Sequence, residues 1–586
     1  MLRDPWGPIR YVLAATVLAN TACATGTGTV VTFPASWRFN ALEAPVTAHR
    51  GMVVSTDELA TRVGVNVLRA GGNAVDAAIA VHFSLAVVNP EAGNIGGGGF
   101  MVASLADGTT AALDFREKAP AAATHDMYLD AENQVTDQSV VGHLSSGVPG
   151  SVSGMWVAHQ RYGSLKWQDL LEPALELARG FEVRARFIGS LTPSMVRSLS
   201  RFPASAAQFL PRNGQPPQIG DTLRQPDLRA TLQRIQERGA DGFYEGETAD
   251  LIVAEMEQGN GIITLQDLAN YQAVWRKPVS FSYRGHTVIS MPPSSSGGAT
   301  MAEMANILEL YDLGSLPWHG HERVHLYAEA WRRAYADRNH YLADPDFVDI
   351  PLERMTSPAY AQERAASISL NAATPSLDVG PGMEAPQDRI NTTHFSVVDE
   401  LGNAVAVTTT LNSSYGSKVT VNGAGFVLNN EMDDFSAKPG TPNQFGLVQG
   451  ENNAIAPGKR MLSAMTPTIV LDPEGSLRMV TGTPGGGTII TTVFQTISNV
   501  LDYQMNVVEA VSAPRVHHQH LPDQIFYESG GLDAETVRSL EVLGHTVFER
   551  PGISGDVQMI LIISRDSRSL EHPMTENLEA TYCFSI

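Results

Sequence analysis

Cysteine is almost missing: the 586 residues hold two, Cys23 and Cys583. No disulfide framework can be built from them, so stability has to come from a packed core. Runs of lysine or arginine are lacking too. Basic residues number 40 against 62 acidic ones, for a net charge of -22, which disfavours nucleic acid and anionic membrane surfaces as partners. The one conspicuous leader-like apolar run, Tyr11 to Ala19, is too short to span a bilayer as a stable helix. What remains is an ordinary globular composition, 43% hydrophobic, long enough for one large domain or two or three typical ones.

The apolar run follows Arg3 and Arg10 and is followed by Ala22-Cys23-Ala24, small residues of the A-x-A cleavage type. Residues 1–24 therefore read as a secretory signal peptide, and the mature protein is expected to be periplasmic or secreted. A lipid-modified Cys23 is the alternative. The residue three positions before it is Asn20, where a lipoprotein signal usually carries an aliphatic residue, so simple cleavage is preferred.

Further on, Ser55-Thr56-Asp57-Glu58 starts a helix that Gly71-Gly72 ends. Asn73 caps a second, almost wholly apolar helix, Ala74 to Val88, whose composition predicts burial. The Gly96–Gly99 run lacks the Lys-Ser/Thr of a phosphate loop, so it is read as close backbone packing. Residues 150 to 365 read as mostly helical, including Trp167 to Arg179 closed by Gly180 and Met301 to Tyr311. The stretch Met291-Pro292-Pro293-Ser294-Ser295-Ser296-Gly297-Gly298 reads as a rigid loop between helices. Strand patterns are Thr110 to Phe115, Gly425 to Leu428, Pro467 to Leu471 and Leu477 to Val480.

Asn371 to Asn391, rich in Pro, Gly, Ser and Ala, reads as an exposed linker. It runs into Thr392-Thr393-His394-Phe395-Ser396-Val397-Val398, a strand that pairs as a hairpin with Ala404 to Asn412. Thr-Thr at a strand start is ordinary β-propensity. It is also where a self-cleaving hydrolase would hide its nucleophile. Cleavage of the Asn391–Thr392 bond gives Thr392 a free α-amine, with a reference pKa of about 7.7–8.0, that can take the proton of its own hydroxyl.

Other clusters compete for attention. His321-Glu322-Arg323-Val324-His325 matches H-E-x-x-H, the pattern of a zinc protease with Glu322 as base. No Gly and third His follow to extend it. His517-His518-Gln519-His520 is read as packed or surface histidines, because adjacent side chains on regular structure point apart. Gly482-Thr483-Pro484-Gly485-Gly486-Gly487 offers glycine amides to a developing oxyanion or simply makes a turn. Asn429-Asn430-Glu431-Met432-Asp433-Asp434 is either a solvated turn or a set of acids that hold an ammonium. With Arg116 for a carboxylate, it would describe an amino-acid pocket.

Several of these motifs together resemble the gamma-glutamyltransferase family. They are Gly72-Asn73-Ala74-Val75-Asp76-Ala77-Ala78, the Gly96–Gly99 loop, Asp114-Phe115-Arg116-Glu117, Met291-Pro292-Pro293, Thr392-Thr393-His394, Asn429 to Ser436, and Thr483-Pro484-Gly485-Gly486. The likeness runs from about residue 45 to 565, in the family's order. It implies an α+β Ntn-hydrolase fold, a four-layer αββα sandwich. The proenzyme would cut itself into a large subunit, 25–391, and a small subunit, 392–586, that stay together.

By the same resemblance Thr392 is the processing site and nucleophile, and Thr410 orients it. Arg116 and Ser463 hold the substrate α-carboxylate; Asn412, Glu431 and Asp434 hold its α-ammonium. The amides of Gly485 and Gly486 form the oxyanion hole, and neither a metal nor an organic cofactor is implied. The implied donors are glutathione and other γ-glutamyl compounds, and the implied acceptors are water, amino acids or dipeptides. An acylase of glutaryl or cephalosporin-type amides on the same fold is the alternative. Three departures stand out. Ser463-Ala464 replaces the two serines frequent in the family, and Phe445 stands where some members carry a lid Tyr. The tail after about Arg565 also drifts from the family pattern.

Overall fold

The computed structural model describes residues 44–380, 392–565 and 576–580. The leader with Cys23, Asn391, most of the linker and Cys583 lie outside the described residues.

The expected hairpin is the centre of the molecule. Thr393–Val398 pairs antiparallel with Ala404–Thr410, Thr393 opposite Thr409 and Val398 opposite Ala404. Its turn is tied by Asp399, whose Oδ1 accepts the N–H groups of Leu401 and Asn403 at 2.9 and 3.0 Å. The other oxygen, Oδ2, accepts the Ala74 N–H at 2.9 Å. One carboxylate thus shapes the turn and docks the start of the buried helix on it.

The hairpin belongs to a six-stranded antiparallel sheet. Its order is Met52–Ser55, Thr393–Val398, Ala404–Thr410, Gly98–Ser104, Thr110–Asp114 and Val274–Arg276. Side chains alternate along each strand. Phe395, Val397, Val405 and Val407 join the core beneath helix Ala74–Val88. Val398, Ala404 and Ala406 join Ile469 and Val480 of a second sheet.

That second sheet has seven strands, in the order Val46–Ala48, Glu576–Ala580, Ile560–Arg565, Leu477–Thr481, Thr468–Leu471, His286–Ser290 and Val279–Tyr283. Helices Gly297–Leu308, His321–Tyr341 and Ile489–Leu501 cover its far face. The result is helix, sheet, sheet, helix: the αββα sandwich the sequence motifs implied.

Helix Ala74–Val88 is buried along its whole length, and Asn73 forms a capping box with Asp76. Its valines, leucine, isoleucine and phenylalanine each contribute about 1.5–3 kcal/mol by burial, which makes this helix a principal support of the first sheet. The glycine loop packs as expected. A Cβ on Gly97 would lie 2.1 Å from Thr410 O, and one on Gly99 would lie 2.3 Å from Thr408 O. Only glycine lets this backbone approach the strand so closely.

The region from 150 to 365 is mostly helical, as read, and within it runs a β-hairpin, Val279–Tyr283 with His286–Ser290, turned at Arg284-Gly285. Its alternating Val279-Ser280-Phe281-Ser282-Tyr283 pattern carried that signal. Gly425 to Leu428 is not a strand. Gly425 has φ 73°, and only an isolated bridge joins Val427 to Thr420.

Candidate active site

The register places Thr393 opposite Thr409, so one residue further the strand ends with Thr392 beside Thr410. Thr393 is fully buried and turns away, its hydroxyl 2.6 Å from that of Thr56. Thr392 is half-buried and faces a cavity instead. The same cavity is lined by Arg116, Thr410, Asn412, Glu431, Asp434, Phe445, Ser463, Ala464 and Gly486. Residues as far apart in sequence as 116 and 486 therefore share one wall with the strand terminus. Gly485 adjoins it through Gly486.

At the Thr392 end, Gly485 and Gly486 have φ 151° and 52°. They lead through the turn Gly486–Thr488 into helix Ile489–Leu501. Amides at this helix start carry the positive end of its dipole, which suits a developing oxyanion. The turn is pinned from behind, since the Tyr335 hydroxyl donates to Gly487 O at 2.5 Å. Phe445 covers it from the cavity side, with its ring 3.1 Å from where a Gly486 Cβ would sit. Thr410 Oγ1 accepts the Asn412 N–H at 2.7 Å, while Asn412 Nδ2 donates to Asn430 O at 2.9 Å.

The other end is dominated by charge. Arg116 is buried, with Nη1 2.5 Å from Glu431 Oε2 and Nη2 2.5 Å from Asp434 Oδ2. Glu117 Oε2 lies 3.5 Å from the same guanidinium. One cation thus faces three carboxylates. Burial opposes the Arg116 cation, but Glu431, Asp434 and Glu117 together hold its pKa above the usual arginine value. Burial likewise raises Glu431 well above, and Asp434 above, the usual carboxylate range against the pull of Arg116. Glu117, with no hydrogen-bond partner for either oxygen, is pushed up to about 8 by burial. Such a cluster is short of positive charge and suits an incoming ammonium.

Ser463 stands on the facing wall, and its Oγ accepts the Met465 N–H at 3.1 Å. Ala464 beside it presents only a methyl group to the cavity.

The histidine clusters lie elsewhere in the fold. His517 hydrogen-bonds Thr491 and Gln519, His518 pairs with Asp523, and His520 reaches Ser376 O. They are packed, as read. In the H-E-x-x-H run, His321 and Glu322 are largely exposed at the helix start, whereas His325 is buried. Ligand atoms of His325, Glu329 and His545 lie within 4.8 Å of one another. Most of their bonds are already taken, although His545 Nδ1 has no hydrogen-bond partner. His325 Nδ1 and His545 Nε2 share a hydrogen bond at 2.7 Å, and Glu329 is neutralised by Arg332 and Arg333.

Sequence reasoning gave no role to Glu117, although it sits in the quoted Asp114-Phe115-Arg116-Glu117 run. It also missed Asp114, whose Oδ1 accepts the Arg116 N–H at 3.1 Å and whose Oδ2 accepts Arg276 Nε–H at 2.8 Å. Asn443, which donates to Asp434 Oδ1 at 3.2 Å, was missed as well. An acid at the end of a buried strand was the available signal for Asp114.

A threonine at a strand terminus of an αββα sandwich, with glycine amides and an ion cluster sharing its cavity, defines an N-terminal-nucleophile hydrolase. Comparison with known proteins narrows this. The family model of gamma-glutamyltranspeptidase matches residues 60–578. The glutathione hydrolase proenzyme of Escherichia coli K12 is 47% identical over 520 residues, spanning 88% of this chain and 89% of its own. The crystal structure of Helicobacter pylori gamma-glutamyltranspeptidase superposes with TM-score 0.56 at 42% identity, covering 58% of this chain and 97% of its own. A cephalosporin acylase from Bacillus halodurans gives TM-score 0.77 at 25% identity, covering 94% of this chain and 97% of its own. The chain belongs to the gamma-glutamyltranspeptidase family and is an enzyme of it.

Proposed function

We propose that this chain is made as a proenzyme, splits itself between Asn391 and Thr392, and then transfers γ-glutamyl groups from glutathione and related amides. The observation that carries the reading is Arg116, set between Glu431 and Asp434 in the cavity that Thr392 lines. One cation and adjacent acids match a glutamyl head that bears both a carboxylate and an ammonium.

In the reaction, the α-amine of Thr392 takes the proton of its own hydroxyl, and Oγ attacks the γ-carbonyl. The Gly485 and Gly486 amides hold the oxyanion. Arg116 and Ser463 hold the α-carboxylate, and Asn412, Glu431 and Asp434 hold the α-ammonium. Collapse of the intermediate breaks the amide bond, and the leaving amine takes the proton. The γ-glutamyl-Thr392 ester is then resolved by water or by the amine of an amino acid or dipeptide. Self-cleavage uses the same hydroxyl on the Asn391 carbonyl, through an N-to-O acyl shift. Residues 1–24 act as a signal peptide, and the product is a periplasmic or secreted pair of subunits, 25–391 and 392–586.

Acylase action on a glutaryl-type amide is the second reading, favoured by Ala464 and by the likeness to a cephalosporin acylase. A glutaryl group has no ammonium, so it leaves Glu431 and Asp434 without a partner.

The test is intact mass and N-terminal sequencing of wild type beside Thr392→Ala. Wild type should give two chains, one beginning Thr392-Thr393-His394, and the variant should stay whole. A wild type that remains one chain removes the mechanism. Turnover of γ-glutamyl but not glutaryl anilide then separates the two activities.

A further inference from the structure

The three serines Ser294, Ser295 and Ser296, between strand His286–Ser290 and helix Gly297–Leu308, take no part in the mechanism above, yet they lie directly behind the cavity wall. Ser463 N–H donates to Ser294 O at 3.0 Å. Ser463 O accepts both the Ser296 N–H at 2.8 Å and the Ser296 hydroxyl at 2.6 Å. Ser295 Oγ donates to Met465 O at 2.5 Å. Ser294 Oγ donates to Asp114 Oδ2 at 3.1 Å, and the other oxygen of Asp114 accepts the Arg116 N–H. Both groups assigned to the donor α-carboxylate, Arg116 and Ser463, therefore hang from one serine loop.

Arg338 anchors that loop. It projects from helix His321–Tyr341, is fully buried, and donates from Nε to Ser296 Oγ at 2.9 Å. Nη1 donates to Asn339 Oδ1 at 2.9 Å, while Nη2 is buried with no hydrogen-bond partner. Asp434, in the ion cluster of the cavity, is the carboxylate whose field it feels. Burial lowers the Arg338 pKa, as expected of a desolvated cation. A buried guanidinium with an unmet donor is costly for stability alone, and a role in recognition accounts for its presence.

We propose that Arg338 is a positioning residue for donor recognition: through Ser296 it fixes the Ser463 wall, and its charge adds to the field that holds the donor α-carboxylate. The inference rests on the γ-glutamyl reading of the cavity.

The test compares Arg338→Met, Arg338→Lys and Ser296→Ala with wild type on two probes, a γ-glutamyl anilide and its α-carboxamide analogue. With the first probe, Arg338→Met should raise KM about tenfold or more, the worth of one charge-assisted hydrogen bond. Its kcat should stay within about threefold and the chain should still split, because the lost interaction is shared by ground and transition states. Arg338→Lys should recover part of the loss. With the α-carboxamide, which has no anion to hold, the KM of Arg338→Met should match that of wild type.

An equal rise for both probes would mean a generally loosened pocket and would overturn the proposal, as would an unchanged KM for the anilide. Should Arg338→Met fail to fold, Ser296→Ala decides alone, since it removes one hydroxyl from the same chain of contacts. It must raise KM selectively for the charged probe. A wild type that splits but ignores γ-glutamyl amides sinks the functional reading and this inference together; a non-selective variant sinks only the inference.

Discussion

Ala464→Ser should tighten the donor. Ala464 is 7% exposed and lines the cavity next to Ser463, so on the proposed assignment a hydroxyl there would face the donor α-carboxylate. Its backbone is already held: Ser463 N–H and C=O are bonded to Ser294 and Ser296, and Ala464 O accepts the Thr466 hydroxyl at 2.8 Å. Little further ordering is needed, and the side chain has a single rotor to fix. A hydrogen bond to a charged group is worth about 1.5–3 kcal/mol. Desolvating the new hydroxyl takes back part of that, leaving about 1.4 kcal/mol, or tenfold in affinity. The contact is made equally in the ground and transition states, so KM should fall about tenfold while kcat changes little. Initial rates with a γ-glutamyl anilide measure both. An unchanged KM would show that the α-carboxylate does not lie against this wall. An equal fall for the α-carboxamide analogue would show that the gain is not a contact with charge.

Two further outcomes follow from the same geometry. In Gly97→Ala the new Cβ would meet Thr410 O at 2.1 Å and Asn94 Oδ1 at 2.8 Å. Overpacking of this kind costs about 1–3 kcal/mol, so a lowered Tm and slower self-cleavage, followed by mass spectrometry, are expected; an unchanged splitting rate would detach this loop from the Thr410 strand. Burial pushes the Glu117 carboxyl up to about 8, against 4.5 for a free glutamate side chain. The folded state therefore binds the extra proton between those values, and the stability from this group falls as pH rises through that window. Glu117→Gln, which mimics the protonated acid, should flatten the decline in Tm between about pH 5 and 8 relative to wild type. A decline of equal slope in the variant would remove Glu117 as its source.

The local features were legible because their signals are local. Fifteen residues of helix Ala74–Val88 carry an apolar pattern on all sides and an Asn73 cap, and both read directly into burial and a capping box. The Thr393 hairpin announced itself through β-branched residues in two runs close enough to pair. The glycine run at 96–99 had no lysine for phosphate, and close backbone packing was the remaining use. Assembly of the cavity was different. Arg116 meets Asp434 over a sequence separation of 318, and Ser294 meets Asp114 over one of 180. No periodicity encodes such meetings; the order of strands in two sheets does. That is why Glu117, Asn443, Arg338 and the serine loop had no role until the sheets were in place, and why family likeness, not residue pattern, had to gather the site residues. Gly425 to Leu428 failed for the converse reason, since an apolar run reads as a strand even where a glycine at φ 73° opens it.

The ion cluster also separates the two activities the fold supports. A site for a glutaryl or cephalosporin side chain has a single negative charge to recognise, and Arg116 with Ser463 would suffice for it. Glu431 and Asp434 would then weaken that recognition by occupying Arg116, at 2.5 Å each. With a γ-glutamyl donor the same acids become useful. On the proposed assignment the α-ammonium would draw Glu431 and Asp434 toward itself and free Arg116 for the α-carboxylate. Binding would then be an exchange of ion pairs, in which the donor brings one charge of each sign and leaves the net charge of the cluster unchanged. Burial favours the neutral acid at Glu117 and Glu431 alike, and an approaching ammonium would favour their ionised forms. An amino-acid head would give the acids beside Arg116 a second cation to face, which a glutaryl group cannot.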